Sequence, residues 1–587
     1  MRNIRKAPLI IRIILIIGIL GVLLALDLAN RGLAWQTFWS LTGEEEPLAQ
    51  VRGMVEWLGN FTRLQPNTAP LTPIQHVDVN PFGINTFLEQ EVEPEKRERQ
   101  VQMIADAGFH WIRQEFPWED IEIHRRGDFT DRRNDLDGDG QPDEVDAWAK
   151  YDHIVDLAGQ YRLEIQARLS NPPDWTHANP DIGEKAPPDD VQDYVNFAVT
   201  VAERYRGRIR YYQVWNEPNI YPEWGNQDVN PEAYTGLLCR TYDALKAVDP
   251  EIVVISGALA GTVSLTGRDL NDFIFLQRMY DAGAGACFDI MSVQAYGLNS
   301  GPTDHRMRPT TVTFARHVYI RDIMVANGDA HKPIWISEAA WNPVDEPTVP
   351  PDVQNRENYG SVTLEQAARY MPLAYQRAQQ EWPWIGVINY WFFKRASDAE
   401  RSQSFYYFRM VEPDFTPLPI YDAMRQYIHN HEPVLYAGVH QSEGWGVALP
   451  EGTIPEWGAG GGDDAAQFGK LVVVNDATFV AHGTDVFVRL RSRRPLNIEV
   501  DGEAAGIVND PGIWTQTRVW NSLLGETHHI HLSFDGYFLF DSITVLDRTF
   551  ANVFPLAAGA AIALGMALWV VASALRARRR LAADREA

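Results

Sequence analysis

At 587 residues the chain exceeds one ordinary domain of about 150 residues; even allowing for the size of α/β barrels, two or three domains are expected. Hydrophobic residues at 45% and charged residues at 22% fit a chain that folds rather than one that stays disordered. The formal net charge of −26 argues against a nucleic-acid partner, whose phosphates need a basic face, and leaves a neutral polymer as the better fit. The 19 tryptophans suit core filling and sugar stacking alike.

Both ends carry an apolar segment. Residues 8–26 form the first, with Arg2, Arg5, Lys6 and Arg12 before or within it, so residues 1–30 read as a transmembrane anchor whose start is cytoplasmic. A signal peptide cut near residues 25–29 is the alternative, against which the length of the apolar run counts. Residues 31–72 include the acidic run Glu44, Glu45 and Glu46 and read as a stalk with one amphipathic helix.

Residues 73–430 show short apolar runs alternating with amphipathic helical stretches, the βαβα rhythm of a parallel sheet. The runs are 82–85, 109–113, 163–168, 211–215, 252–256, 289–293, 333–337 and 386–391, eight in all, as a (β/α)8 TIM barrel with insertions requires. A doubly wound open sheet is the alternative, weakened because no Gly-rich phosphate loop follows the first run. Residues 431–548 hold strands without helices and predict a β-sandwich, with a flexible loop at the glycines of 458–462.

Residues 549–587 close the chain, with an uncharged stretch at 556–575 long enough to span a bilayer and Arg576, Arg578, Arg579 and Arg580 beyond it. This α/β chain, with one transmembrane helix at each end, is therefore expected to keep both termini in the cytoplasm and everything between them outside the cell. Cys239 and Cys287 can pair once there or stay two buried thiols.

Active sites of such barrels lie at the C-terminal ends of the strands. Glu217 follows the fourth run in Trp215-Asn216-Glu217-Pro218, and Glu338 follows the seventh in Trp335-Ile336-Ser337-Glu338. Each is a carboxylate among apolar neighbours, where partial burial raises a pKa as a general acid needs. Glycosidic cleavage uses such a pair, one carboxyl protonating the leaving oxygen and the other attacking or stabilising the anomeric carbon. Asn-Glu-Pro alone is weak evidence; its position at one strand end, with a second glutamate at another, decides.

This placement resembles the clan A glycoside hydrolases, most of all the family 39 and family 5 group, over roughly residues 80–429. The resemblance implies that Glu217 is the acid/base and Glu338 the nucleophile, with retention of configuration. It implies further that Asn216 binds the sugar 2-hydroxyl, Arg113 supports the nucleophile, Tyr296 hydrogen-bonds it, and Trp391 floors the subsite of the cleaved sugar. The chain departs from the clan at Gln294-Ala295-Tyr296, where many members place a His two residues before the Tyr. Arg113 as a plain barrel-end ion pair and Trp391 as core filling stay open. Glu115, Trp118, Asn171, Trp175 and Trp224 fall in strand-end loops and are candidates to line the cleft, Trp175 as a substrate contact.

In the loop after the second run, Asp135, Asp137, Asp139, Gln141, Asp143 and Asp146 stand at positions 1, 3, 5, 7, 9 and 12 with Gly140 at 6, the spacing of a calcium loop. Position 12 is Asp rather than Glu and no helix clearly enters, so a free-standing structural Ca2+ loop is expected, with a solvated acidic turn as the alternative. His528, His529 and His531 lack an evident carboxylate or Cys partner and read as solvated. No cofactor is needed for catalysis. The expected activity is double-displacement hydrolysis of O-glycosidic bonds in an extracellular poly- or oligosaccharide. A non-catalytic carbohydrate-binding barrel and a transglycosylase with the same pair remain as alternatives; a metal-dependent barrel hydrolase would need strand-end His ligands that are missing.

Overall fold

The computed structural model describes residues 9–135, 138–354, 359–457, 466–493, 495–508 and 513–586. The chain divides into two compact units, Met1–Ala69 with Val79–His431 and Pro70–Asp78 with Glu432–Ala587.

The first unit opens with helices α1 (Leu9–Ala29), α2 (Leu33–Thr42) and α3 (Pro47–Leu58). The barrel follows: β1 (Phe82–Thr86), α4 (Pro94–Asp106), β2 (Trp111–Pro117), an insertion with the hairpin β3 (Thr130–Asp131) and β4 (Val145–Asp146), α5 (Ala149–Gln160), β5 (Glu164–Ser170), α6 (Val191–Arg204), β6 (Tyr211–Val214) and α7 (Pro231–Val248). It is completed by β7 (Val253–Ile255), α8 (Asp272–Asp281), β8 (Met291–Gln294), α9 (His317–Ala326), β9 (Ile334–Ala339), the short α10 (Pro351–Gln354), α11 (Leu364–Glu381), β10 (Ile385–Tyr390) and α12 (Pro419–Asn430). The eight parallel strands run β7-β6-β5-β2-β1-β10-β9-β8, and bridges Ile255–Ile290 and Leu259–Val293 join the two ends of that order. The eight predicted runs are these eight strands, with bounds shifted by a few residues.

Alternate side chains point into the barrel, as the two-residue period of a strand dictates. At its floor Trp111, Tyr211 and Trp335 pack ring against ring at 5.0 to 5.1 Å. Above them lies a polar layer. Gln213 Nε2 donates to Ser337 Oγ at 3.0 Å and Ser292 Oγ at 3.1 Å, while Asn389 Nδ2 donates to Gln166 Oε1 at 3.0 Å. Gly83 makes room for this layer, since a Cβ there would lie 2.2 Å from Asn389 Oδ1. Each buried amide is thereby satisfied rather than left at the cost of an unmade bond. Cys239 in α7 is disulfide-bonded to Cys287 ahead of β8, which resolves the two readings of that pair. Closing a loop of separation 48 restricts the unfolded chain by about 4 kcal/mol.

Residues 31–72, expected as a stalk, form two helices held to the barrel by ion pairs. The buried Arg306 guanidinium reaches Asp304 at 2.8 Å, Glu44 at 2.6 Å and Glu56 at 3.2 Å. Glu45 accepts from Arg369 and Tyr370, and Glu46 caps α3 by accepting from Ala49 N at 2.7 Å. The acidic run therefore serves as docking ligands and a helix cap, a use no local pattern announces.

In the second unit β11 (Gly438–Gln441), β12 (Val447–Ala448), β13 (Glu456–Trp457), β14 (Lys470–Arg491), β15 (Leu496–Val500), β16 (Glu503–Val508) and β17 (Thr515–Leu546) make one seven-stranded antiparallel sheet. The expected sandwich is corrected in this respect. Strand β14 runs unbroken over Lys470–Arg491 and folds the sheet back on itself: Val486 pairs with Trp520 on one side and Val545 on the other. One core of Val472, Val488, Ile530, Phe538, Phe540 and Ile543 fills the fold. The Gly-rich residues 458–465 lie outside the described residues.

The expectation of two membrane helices is also corrected. Helix α13 (Thr549–Glu586) is long and apolar enough over Thr549–Leu575, with none of that stretch buried. Among the described residues the first segment qualifies only together with α2, from which it is bent by 73°. The break has a cause: Asp27 Oδ1 accepts from Trp35 N at 3.1 Å, ending α1 and starting α2 at a new angle.

Candidate active site

The chain turns sharply where β6 ends. Trp215 takes a left-handed φ of 76°, a costly conformation for a bulky residue, and is fixed there by burial and by its indole donating to Glu223 O at 2.8 Å. Asn216 and Glu217 follow at the wall of a cleft of about 620 Å³ that Glu338, Gln294, Tyr296, Tyr359 and Trp391 also line. The two glutamates of the fourth and seventh barrel strands thus share one cavity.

Their surroundings differ. Glu338 Oε1 accepts from Arg113 Nη1 at 2.9 Å and Oε2 from the Tyr296 hydroxyl at 2.5 Å. Arg113 is itself 2% exposed and bonded through each of its three nitrogens: Nε donates to Gln213 Oε1 at 2.7 Å, Nη1 also to Asn85 Oδ1 at 2.8 Å, and Nη2 to Asn216 Oδ1 at 2.8 Å. Such charge-assisted bonds fix both partners in place. Burial and the Glu338 charge keep the Tyr296 phenol protonated, its pKa well above the ordinary value.

Among the described residues no such cation contacts Glu217. Burial first, then the charges of Glu338 and Glu223, push its carboxyl up to about 8. Gln294 acts on that carboxyl in the opposite direction, yet its amide completes no well-formed hydrogen bond. The cleft therefore holds one carboxyl that keeps its proton at neutral pH and one carboxylate clamped by an arginine and a tyrosine. That pairing suits donating a proton on one side of a bond and attacking on the other.

Further ion pairs shape the walls. Arg168 meets Glu115, Lys185 meets Glu223 and Arg395 meets Glu400, so the basic side chains of the cleft are each matched by a carboxylate. A second hollow of about 450 Å³ shares Gln90, Glu115 and Asn171 with the first. Among its walls Glu89 and Glu119 are both raised to about 7, chiefly by burial and then by Glu115.

No family model and no curated protein matches the chain. Among solved structures, a family 39 glycoside hydrolase from Bacteroides cellulosilyticus WH2 is similar with 16% identity and a TM-score of 0.43, covering 79% of this chain and 83% of that one. A GH39 beta-xylosidase from Caulobacter crescentus is similar with 15% identity and a TM-score of 0.42, over 80% and 99% of the two chains. GH5_18 from Streptomyces cattleya, solved with GlcNAc, is similar with 16% identity and a TM-score of 0.43, over 63% and 83%.

The structure brings Asn216, Glu217, Tyr296, Glu338 and Trp391 to the cleft. Arg113 stands behind Glu338 and holds the carboxylate and Asn216 in place, so it positions rather than touches a ligand. Trp175 lies elsewhere: its indole donates to Glu122 O at 2.7 Å and its ring packs edge-on against Trp118 at 5.6 Å. Glu115 and Asn171 line the cleft, whereas Trp118 and Trp224 are buried in the fold. Asn85, Gln213, Lys185, Glu223 and Tyr359 were not foreseen. For Asn85 and Gln213 a signal exists, since each is a polar residue at an inward position of a barrel strand.

In the loop between β3 and β4, Asp135 accepts from Gly138 N at 2.7 Å and Gly140 N at 2.8 Å, and Asp139 accepts from Gln141 N at 2.8 Å. Asp146 accepts from Trp148 N at 3.0 Å, and Asp143 N donates to Asn134 O at 2.8 Å. Asp137 lies outside the described residues, and among those described no group of three His, Cys, Asp or Glu is arranged to hold a metal ion. The histidines of β17 do have carboxylate partners, supplied by neighbouring segments: His528 Nδ1 lies 2.7 Å from Asp501 and His531 Nε2 2.7 Å from Asp476.

Proposed function

We propose that this chain is a membrane-anchored retaining glycoside hydrolase acting on an extracellular poly- or oligosaccharide. The observation that carries the reading is the unequal pair at one cleft, Glu217 pushed up to about 8 and Glu338 clamped by Arg113 and Tyr296. In the first step Glu217 gives its proton to the glycosidic oxygen while a Glu338 oxygen bonds the anomeric carbon, releasing the leaving sugar as an alcohol. In the second, Glu217 takes a proton from water, whose oxygen displaces Glu338 and restores both groups. Asn216, with Oδ1 committed to Arg113, offers Nδ2 to a sugar hydroxyl. Trp391 offers a stacking face, and the second hollow suits a substrate longer than one sugar.

The membrane part rests on the apolar stretch Thr549–Leu575, none of it buried. The disulfide suits an oxidising compartment outside the cytoplasm. Calcium in the loop of residues 135–146 is proposed only as a structural ion.

Hydrolysis of a polysaccharide panel by the full chain, with the anomer of the first product followed by NMR, tests the reading. Retention is expected, with turnover lost by at least about 10³-fold in Glu217→Gln and Glu338→Gln on unactivated substrates. Wild-type rates in either variant, or inversion, would overturn it.

A further inference from the structure

The sheet of the second unit has a defect at one place. Gly483 pairs with Glu526 and Asp485 with Asn521, so the four residues Ser522, Leu523, Leu524 and Gly525 leave the ladder opposite Thr484. Exposed residues of such a bulge within β17 are usually polar. Here it carries Leu523, 56% exposed, and Leu524, 46% exposed.

The loop is clamped to the start of α13. Gly525 N donates to Thr549 Oγ1 at 2.7 Å and Asn552 Nδ2 to Leu523 O at 3.1 Å, while Arg548 N donates to Thr484 Oγ1 at 3.0 Å. The two leucines therefore sit at the level of the first helical turn. That turn and the next expose Phe550 and Phe554, whose rings stack at 5.3 Å. The apolar stretch long enough to cross a membrane begins at the same residue, Thr549. Polar groups lie on the other side of this level, with Asp547 accepting from Thr549 N at 2.8 Å and Glu526 exposed.

We infer that Leu523 and Leu524, with Phe550 and Phe554, form an apolar collar that enters the interfacial layer of a lipid bilayer and seats the sheet unit on the membrane surface. An isolated spanning helix leaves the domain above it free to swing. Two apolar side chains on a segment tied to that helix by two hydrogen bonds, level with the two phenylalanines of its first turns, give a second point of insertion, at the depth where amphipathic surfaces bury their apolar faces. The collar presumes that α13 spans the membrane, and the experiment separates the two.

The full chain in phosphatidylcholine–phosphatidylglycerol liposomes is spin-labelled at one of three cysteines, Leu523→Cys, Tyr537→Cys or Leu564→Cys; Cys239 and Cys287 are occupied by their disulfide. All three positions are exposed, so labelling leaves the core intact. Collision with oxygen, which concentrates in lipid, is compared with collision with a water-soluble nickel chelate. Expected are oxygen-dominated collisions at 564, nickel-dominated collisions at 537, and an oxygen excess at 523 smaller than at 564. A lipid-exposed 564 with a nickel-dominated 523 overturns the collar and leaves the span standing. A label at 523 shielded from both reagents means a protein partner covers it and also overturns the collar. A nickel-dominated 564 removes the span, and the collar with it.

Discussion

Glu217 and Glu338 are the same residue type at the ends of two strands of one barrel, and the molecule treats them oppositely. Beside Glu338 stands a guanidinium bonded through each of its nitrogens, and a phenol 2.5 Å away on the other oxygen. Glu217 is buried beside two more carboxylates, Glu338 and Glu223, so its charge is disfavoured. The difference is built below the cleft. Arg113 is aimed by Gln213 and Asn85, and those residues belong to a polar layer inside the strands that a purely apolar barrel would lack. What separates the clamped carboxylate from the carboxyl whose charge is disfavoured is therefore the filling of the barrel more than the motifs at its rim.

The comparison breaks most completely at Arg113. Arg113→Met leaves the buried Glu338 carboxylate without its cation and strips bonds from Asn85, Asn216 and Gln213. Removing one partner of a buried pair costs roughly 3–5 kcal/mol, so a clear fall in urea midpoint is expected along with lost turnover. An unchanged midpoint would mean that the pair is not what holds this layer. Tyr296→Phe cuts more finely, because it removes one hydrogen bond to Glu338 and keeps the ring. A bond to a charged group is worth about 1.5–3 kcal/mol, so kcat/KM is expected to fall about 10- to 100-fold with the fold intact by circular dichroism.

Much of this was legible in the sequence because strand ends of a barrel are marked twice, by the apolar run and by the polar residue that stops it. Glu217, Glu338 and Tyr296 follow such runs and Trp391 ends one, and the cleft gathers them. Trp175 also follows one, yet its indole is spent on a backbone carbonyl; a loop's direction is set by contacts remote in sequence, here with Trp118 and Glu122. The same limit hid the fold of β14 and β17, whose register jumps appear only when the partner strand is in place. It also hid the use of Glu44 and Glu45, whose partners Arg306 and Arg369 lie more than 250 residues away.

The finest test of the comparison is thermal and needs no substrate. The Glu217 carboxyl has a folded-state pKa of about 8 against an ordinary value of 4.5. Below the lower value both folded and unfolded chains hold the proton, and its linkage adds nothing. Between the two the folded chain still holds the proton that the unfolded chain has released, so stability falls as pH rises. Above the upper value both have released it and the deficit stays constant. Glu217→Gln is neutral throughout and escapes that loss. Its melting temperature should match the wild type near pH 4.5 and exceed it by a few degrees near pH 8. Glu338→Gln should do the reverse of stabilising at every pH where Glu338 is charged, since it removes the partner of a buried arginine. If the two substitutions shifted stability alike at pH 8, the cleft would not distinguish its carboxyls, and the roles assigned to them would lose their physical basis.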